Sequence, residues 1–136
     1  MNIMKRKLLL VFTSIILLSC SNNEPINFEY TFVPITEIIA PISFTFGETD
    51  TIKLRYTLPN GCYHFNAVNY EYKDSTRIVA ISAVKELDAY CTEALIMEEY
   101  DLLVTAKQEE DYLFKFWKGT DSNGDNLFEE VIVPVN

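Results

Sequence analysis

The chain has 136 residues, with 20 Asp or Glu against 11 Lys or Arg and a formal net charge of −9. Such a surface repels phosphate backbones, which excludes nucleic acid as a partner class. Aromatic residues make up 13% of the chain, while Gly (4) and Pro (5) are few, which excludes a low-complexity linker and suits a packed β domain.

In chain order, the first segment has the parts of a secretory signal. Lys5, Arg6 and Lys7 form a basic start, and Leu8 to Leu18 form an apolar run broken only by Thr13 and Ser14. That run is about 11 residues, short of the ~20 that a membrane span needs. It predicts a removable helical signal peptide over residues 1–19. Leu17-Leu18-Ser19-Cys20 resembles the lipobox of bacterial lipoproteins. The resemblance implies lipidation of Cys20, which becomes the new N-terminus. Several buried acyl chains then give stable anchoring. Residue 21 is Ser and not Asp, which under the sorting rule of Gram-negative lipoproteins implies the outer membrane, on its periplasmic or its surface-exposed face. Residues 20–25 are the lipidated Cys and a short tether. The five residues from Ser21 to Pro25 reach at most ~17 Å when extended, so the domain is expected close to the membrane.

Residues 26–136 read as one domain with one core. With the leader removed, eight basic side chains remain against 20 acidic ones. The acidic residues are spread along the chain and form no tail, so disorder is not implied.

Period-2 alternation marks strands. Ile26, Phe28, Tyr30 and Phe32 alternate with Asn27, Glu29 and Thr31, and are read as the buried face of the first strand. Ile42, Phe44 and Phe46 predict a second strand. Ile52, Leu54, Tyr56 and Leu58 predict a third. Residues 62–72 and 77–86 predict a long hairpin turning at Lys73-Asp74-Ser75-Thr76, with a bulge where the apolar phase shifts from Phe65 and Ala67 to Val68, Tyr70 and Tyr72. Glu93 to Glu99 favours helix by propensity but is short, so helix and strand both stay open there. Tyr112, Phe114 and Phe116 share one face of a further strand, and a last strand runs near Phe128–Val135, with Pro134 marking an edge.

About seven short strands predict an all-β fold: an antiparallel β-sandwich, immunoglobulin-like in layout. Tyr112 follows Glu109-Glu110-Asp111 as the tyrosine corner of such sandwiches does, with its hydroxyl expected to return to backbone a few residues upstream.

Once Cys20 is assigned to lipid, Cys62 and Cys91 remain as a pair. An exported domain meets an oxidising compartment, so a disulfide is the leading reading. A loop of about 30 residues gains roughly 3–4 kcal/mol by the chain-entropy argument. The spacing does not fit the usual immunoglobulin bridge, because Phe114 stands where its second cysteine would be, so the bond is expected to be a local staple.

The mature chain resembles small bacterial lipoproteins with an immunoglobulin-like domain. The shared pattern is Pro59-Asn60-Gly61-Cys62, Cys91, Tyr112-Leu113-Phe114-Lys115-Phe116-Trp117 and Asp121-Ser122-Asn123-Gly124. That group has no established activity, so the resemblance brings no catalytic residues.

Candidate sites are few. Asp121, Asn123 and Asp125 occupy the first three ligand positions of a calcium loop, with Glu129 nearby, but Asn126 and Ile132 stand where Gly and Glu are needed. A hairpin loop turned by Asn123-Gly124 is the simpler reading, and no metal or other cofactor is expected. His64 is the only histidine, which gives zinc no ligand set. There is no GxSxG and no CxxC motif, and a small sandwich has little room for a deep cleft, so no enzyme is expected. Tyr63, Phe65, Leu113 and Trp117 fall opposite the best-marked core positions and form a candidate aromatic patch. The expected role is a membrane-anchored, non-catalytic interaction module of the bacterial envelope, its partner an envelope protein or a glycan. A carbohydrate-binding accessory and an envelope inhibitor of a hydrolase such as a lysozyme are the alternatives.

Overall fold

The computed structural model describes residues 26–136. The predicted signal peptide, the expected lipidation site Cys20 and the expected tether lie outside the described residues. Eight strands form two packed sheets: β1 (Phe28–Val33), β2 (Ile35–Ile39), β3 (Thr49–Leu58), β4 (Tyr63–Lys73), β5 (Thr76–Glu86), β6 (Ile96–Thr105), β7 (Tyr112–Thr120) and β8 (Asn126–Val133). The all-β sandwich is as expected, with eight strands where about seven were predicted. β2 was not among the predicted strands: after Pro34 the chain leaves β1 and enters the other sheet.

One sheet has three strands in the order β2-β3-β6. In the other, β5 is central: β4 pairs along one edge, and β1 and β7 share the opposite edge, followed by β8. Most ladders are antiparallel, but β5 and β7 run parallel from Thr76↔Leu113 to Val79↔Phe116, a departure from wholly antiparallel sheets.

Alternation explains the core. Ile52, Leu54, Tyr56 and Leu58 of β3 face Val79, Ile81 and Ala83 of β5 and Tyr112, Phe114 and Phe116 of β7 across the interior, and all are buried. The three β7 rings stack in sequence, with centroids 5.8 and 5.6 Å apart. The predicted β4–β5 hairpin forms, and its register shifts between Phe65 and Ala67, where the bulge was expected.

The predicted strand at Ile42–Phe46 is not one. Only Phe44 bridges, to Val135, through Phe44 N to Pro134 O (2.8 Å) and Asn136 N to Phe44 O (2.9 Å). Bends at Ile42 and at Phe46-Gly47 turn the two flanking side chains into solvent, while Phe44 inserts fully and meets Tyr112 edge-on at 5.3 Å. The open stretch Glu93–Glu99 resolves as coil followed by strand from Ile96, because β6 pairs along all of β3 and tertiary pairing overrides helix propensity.

Two constraints tie the loops to the sandwich. Tyr112 Oη accepts the Lys107 backbone N–H at 2.9 Å, which makes the tyrosine corner. Cys62 and Cys91 form a disulfide, with Cα atoms 5.3 Å apart, joining the entry to β4 to the loop before β6. Gly61 N donates to Thr92 O beside it at 3.0 Å, and a Cβ on Gly61 would lie 2.6 Å from Thr92 Oγ1, so any larger residue there has to displace the Thr92 hydroxyl.

Candidate functional site

The two outer faces of the sandwich differ in chemistry. On the three-stranded sheet the middle of the outward face is charged and cross-linked, with exposed Met97 and Leu103 to either side. Arg55 bonds Glu37 and Glu99 at 2.6 Å each, and Lys53 bonds Glu99 at 3.1 Å and Asp101 at 3.2 Å. Hydrogen bonds from Arg55, then from Lys53, hold the Glu99 carboxyl below its usual range. This is a solvated face.

The outer face of the five-stranded sheet carries aromatic and amide side chains beside one ion pair, Lys115 with Glu130 at 2.6 Å. Its origin lies at Pro34. The chain crosses between sheets there, and Val33 and Ile35 are both buried at the crossing. With Val33 inward, the period of two sends Phe32, Tyr30 and Phe28 outward. They are 48%, 74% and 48% exposed. The expected buried face of the first strand is therefore its solvent face. The Val33-Pro34-Ile35 triplet is the sequence signal that could have set the phase.

Along the edge of β5 that β1 and β7 share, the outward Trp117 of β7 meets Phe32 of β1, with ring centroids 5.8 Å apart and planes tilted by 57°. Trp117 Nε1 donates to Asn126 Oδ1 at 2.9 Å, which fixes the indole. Phe128 pairs with Trp117 on β8. Two shallow hollows, of about 230 and 240 Å³, lie on this face and share Phe32 and Asn69. The first is walled by Trp117, Phe128 and Asn126, the second by Tyr30, Asn66 and Ser82. Asn66, beside the β4 bulge, donates to Ser82 Oγ at 3.1 Å, and Ser82 Oγ donates to Ala67 O at 3.1 Å. Aromatic planes beside amides that both donate and accept suit a polyhydroxylated ligand: ring C–H faces lie on the aromatics while hydroxyls meet the amides.

The sequence-predicted patch is split by this architecture. Trp117 and Leu113 lie on the outer face, Leu113 opposite Ile132. Tyr63 and Phe65 lie on the inner side of β4, because their partners Lys85 and Ala83 share the face of the buried Ile81. Tyr63 packs against the core, and Phe65 stacks on Tyr100 at 5.4 Å and approaches Tyr56 at 6.1 Å. The four residues do not form one surface. Sequence reasoning missed Tyr30, Phe32, Phe128 and the three asparagines, which belong to strands paired only in the folded sheet.

Asp121 is the cap of the β7–β8 hairpin. Its Oδ1 accepts the backbone N–H of Asn123 at 2.8 Å and of Asp125 at 3.0 Å, and Gly124 adopts φ +88°. These backbone bonds, from Asp125 first, hold the Asp121 carboxyl below its usual value. Glu129 pairs with Lys118 at 2.9 Å. Among the described residues no three His, Cys, Asp or Glu side chains converge as a metal-ligand group, and His64 is exposed.

A family model for the ORF11 beta-sandwich domain matches residues 52–131. That range holds Cys62, Cys91, the tyrosine corner, Trp117 and Phe128, while β1 and β2 precede it. No curated protein and no solved structure matches the chain.

Proposed function

We propose a function from one premise: the chain belongs to the ORF11 beta-sandwich domain family. It is a non-catalytic interaction module of the bacterial envelope, held at the outer membrane by lipid on Cys20. The outer face of its five-stranded sheet binds a neutral glycan. One observation carries the ligand: the contrast between the two outer faces. The three-stranded sheet presents a network of ion pairs, while the five-stranded sheet presents Tyr30, Phe32, Trp117 and Phe128 among Asn66, Asn69 and Asn126, with its Lys115–Glu130 pair outside both hollows. Glu71 is the one carboxylate lining either hollow, so an uncharged sugar meets little repulsion there. The anchor rests on Lys5-Arg6-Lys7, the apolar run to Leu18, and Ser19-Cys20. Signal peptide 1–19, tether 20–25 and domain 26–136 follow from it.

The test is retention of the full chain, in a neutral polyoxyethylene detergent, on immobilised neutral polysaccharides. Retention that free oligosaccharide reverses supports the reading. A folded protein that no neutral glycan retains, across a broad array, rejects it. Globomycin, which blocks the lipoprotein signal peptidase, is expected to leave the leader attached; unchanged processing sinks the anchor.

A further inference from the structure

A second site lies between the sheets, where the β4–β5 turn meets the β6–β7 connection. Arg77 of β5 is 8% exposed there. Its Nη1 donates to the carbonyls of Asp74 and Thr76 at 3.3 Å each, and Nη2 donates to Gln108 Oε1 at 2.7 Å. All three acceptors are neutral, and Nε is buried without a partner. Of the five N–H groups of a guanidinium, the one on Nε has no acceptor among the described residues. No carboxylate of the described residues pairs with Arg77, although ion pairs are common elsewhere on the protein. A buried cation without a counter-ion is destabilising, and contact with the faces of Tyr72 (4.4 Å) and Tyr112 (5.3 Å) offsets that only in part.

Beside the guanidinium is a cavity of about 370 Å³. Its walls include Tyr70, Tyr72, Leu102 and Val104, and Lys107 brings a second cation. No Asp or Glu lines it, in a chain with 20 acidic residues and 11 basic ones. An acidic protein has thus concentrated positive charge at an aromatic-walled hollow, and one of its donors lacks an acceptor.

We propose that this cavity binds a carboxylate carried on an aromatic or aliphatic body. The carboxylate pairs with Arg77, with Lys107 as the outer cation, and the body lies against the Tyr70 and Tyr72 rings and Leu102. Arginine suits this task because its planar fork matches a carboxylate. The site is separate from the outer-face hollows and stands whether or not these bind glycan.

The test titrates the full chain, in the same neutral detergent, with 3-phenylpropionate and with its uncharged counterpart 3-phenylpropanol. The Arg77 Nε–Hε and Lys107 amide signals are followed by NMR. Saturable shifts with the acid, at least tenfold weaker with the alcohol, are expected. Acid and alcohol acting alike, or acid shifts that spare Arg77, overturn the proposal. Arg77→Met risks unfolding the turn, so exposed Lys107→Gln serves as the second variant; it should weaken the acid about threefold and leave the alcohol unchanged, and equal weakening of both counts against the site. A peptide ending in Ala-Phe, free or amidated at its C-terminus, separates the two sources of the carboxylate. Tighter binding of the free peptide than of 3-phenylpropionate assigns a chain terminus, and the reverse assigns a small acid.

Discussion

The rings of Phe32 and Trp117 lie 5.8 Å apart on the outer face of the five-stranded sheet, although 85 positions separate them in the chain. They meet because β1 and β7 share one edge of β5, with Phe32 level with Ser82 and the parallel β7 ladder ending at Val79↔Phe116. Asn126 holds the indole through its N–H, so this aromatic pair is set in place before any ligand arrives.

Trp117→Ala is expected to weaken neutral-glycan binding about tenfold, which corresponds to about 1.4 kcal/mol, while the protein stays folded. Lys53→Ala, on the opposite face, is expected to leave binding unchanged. Affinity electrophoresis with a thermal melt of each variant checks both. Equal loss in the two variants would locate the ligand elsewhere.

Tyr112→Phe keeps the ring stacked on Phe114 and edge-on to Phe44, and removes only the acceptor of the Lys107 amide. The expected loss is about 1 kcal/mol of stability, the size of one hydrogen bond. Urea denaturation measures it, and hydrogen exchange at Lys107 should quicken. An unchanged Lys107 amide would show that the hydroxyl does not hold the loop.

Replacing Cys62 and Cys91 together with Ala is expected to lower stability by about 3 kcal/mol, since the bond closes a loop with a sequence separation of 29. Both thiols should alkylate only after reduction. Labelling of either without reductant would remove the staple from the account.

Acid should destabilise the domain through two carboxyls. Glu99 is held low by Arg55 and then Lys53, and Asp121 by the amides of Asp125 and then Asn123. A folded-state value below the unfolded one means that the unfolded chain binds protons first. Their contribution is therefore present above about pH 4.5 and is lost as pH falls through the folded values. Arg55→Met should return the Glu99 titration toward its ordinary range, read by carboxyl carbon NMR. At the alkaline end, burial, and then Tyr72 beside it, push the Tyr70 hydroxyl up to about 12. The folded state keeps that proton after the unfolded chain has lost it, so stability should fall as pH rises above about 10. Ultraviolet titration of Tyr70→Phe against the parent isolates that phenol.

Much of the fold was legible along the chain. The alternation in β3 and β7 marked their inner faces, because those strands are flanked by neighbours and covered by the opposite sheet. The phase shift after Phe65 announced the β4 bulge, and Tyr112 after an acidic run announced the corner that Lys107 completes. The disulfide read from Cys62 and Cys91 is the bond that the fold contains.

The candidate sites were less legible. Tyr63 and Phe65 share an alternation with Trp117 on paper, yet they lie on the opposite face of the same sheet. Arg77 gave no sign of being more than a charged strand residue, because its missing counter-ion is a property of neighbours on β4, β6 and β7.

Sequence alone therefore determined the strand class, the hairpin, the staple and the corner, all of which depend on local period or on residue type. Tertiary structure decided which face of β1 meets solvent, where Phe32 meets Trp117, and what surrounds Arg77. The physical reason is that alternation divides a strand into two faces without saying which is covered. Covering depends on the partner sheet, and here that was settled at Pro34, where burying Val33 and Ile35 in successive sheets turned the aromatic side of β1 outward.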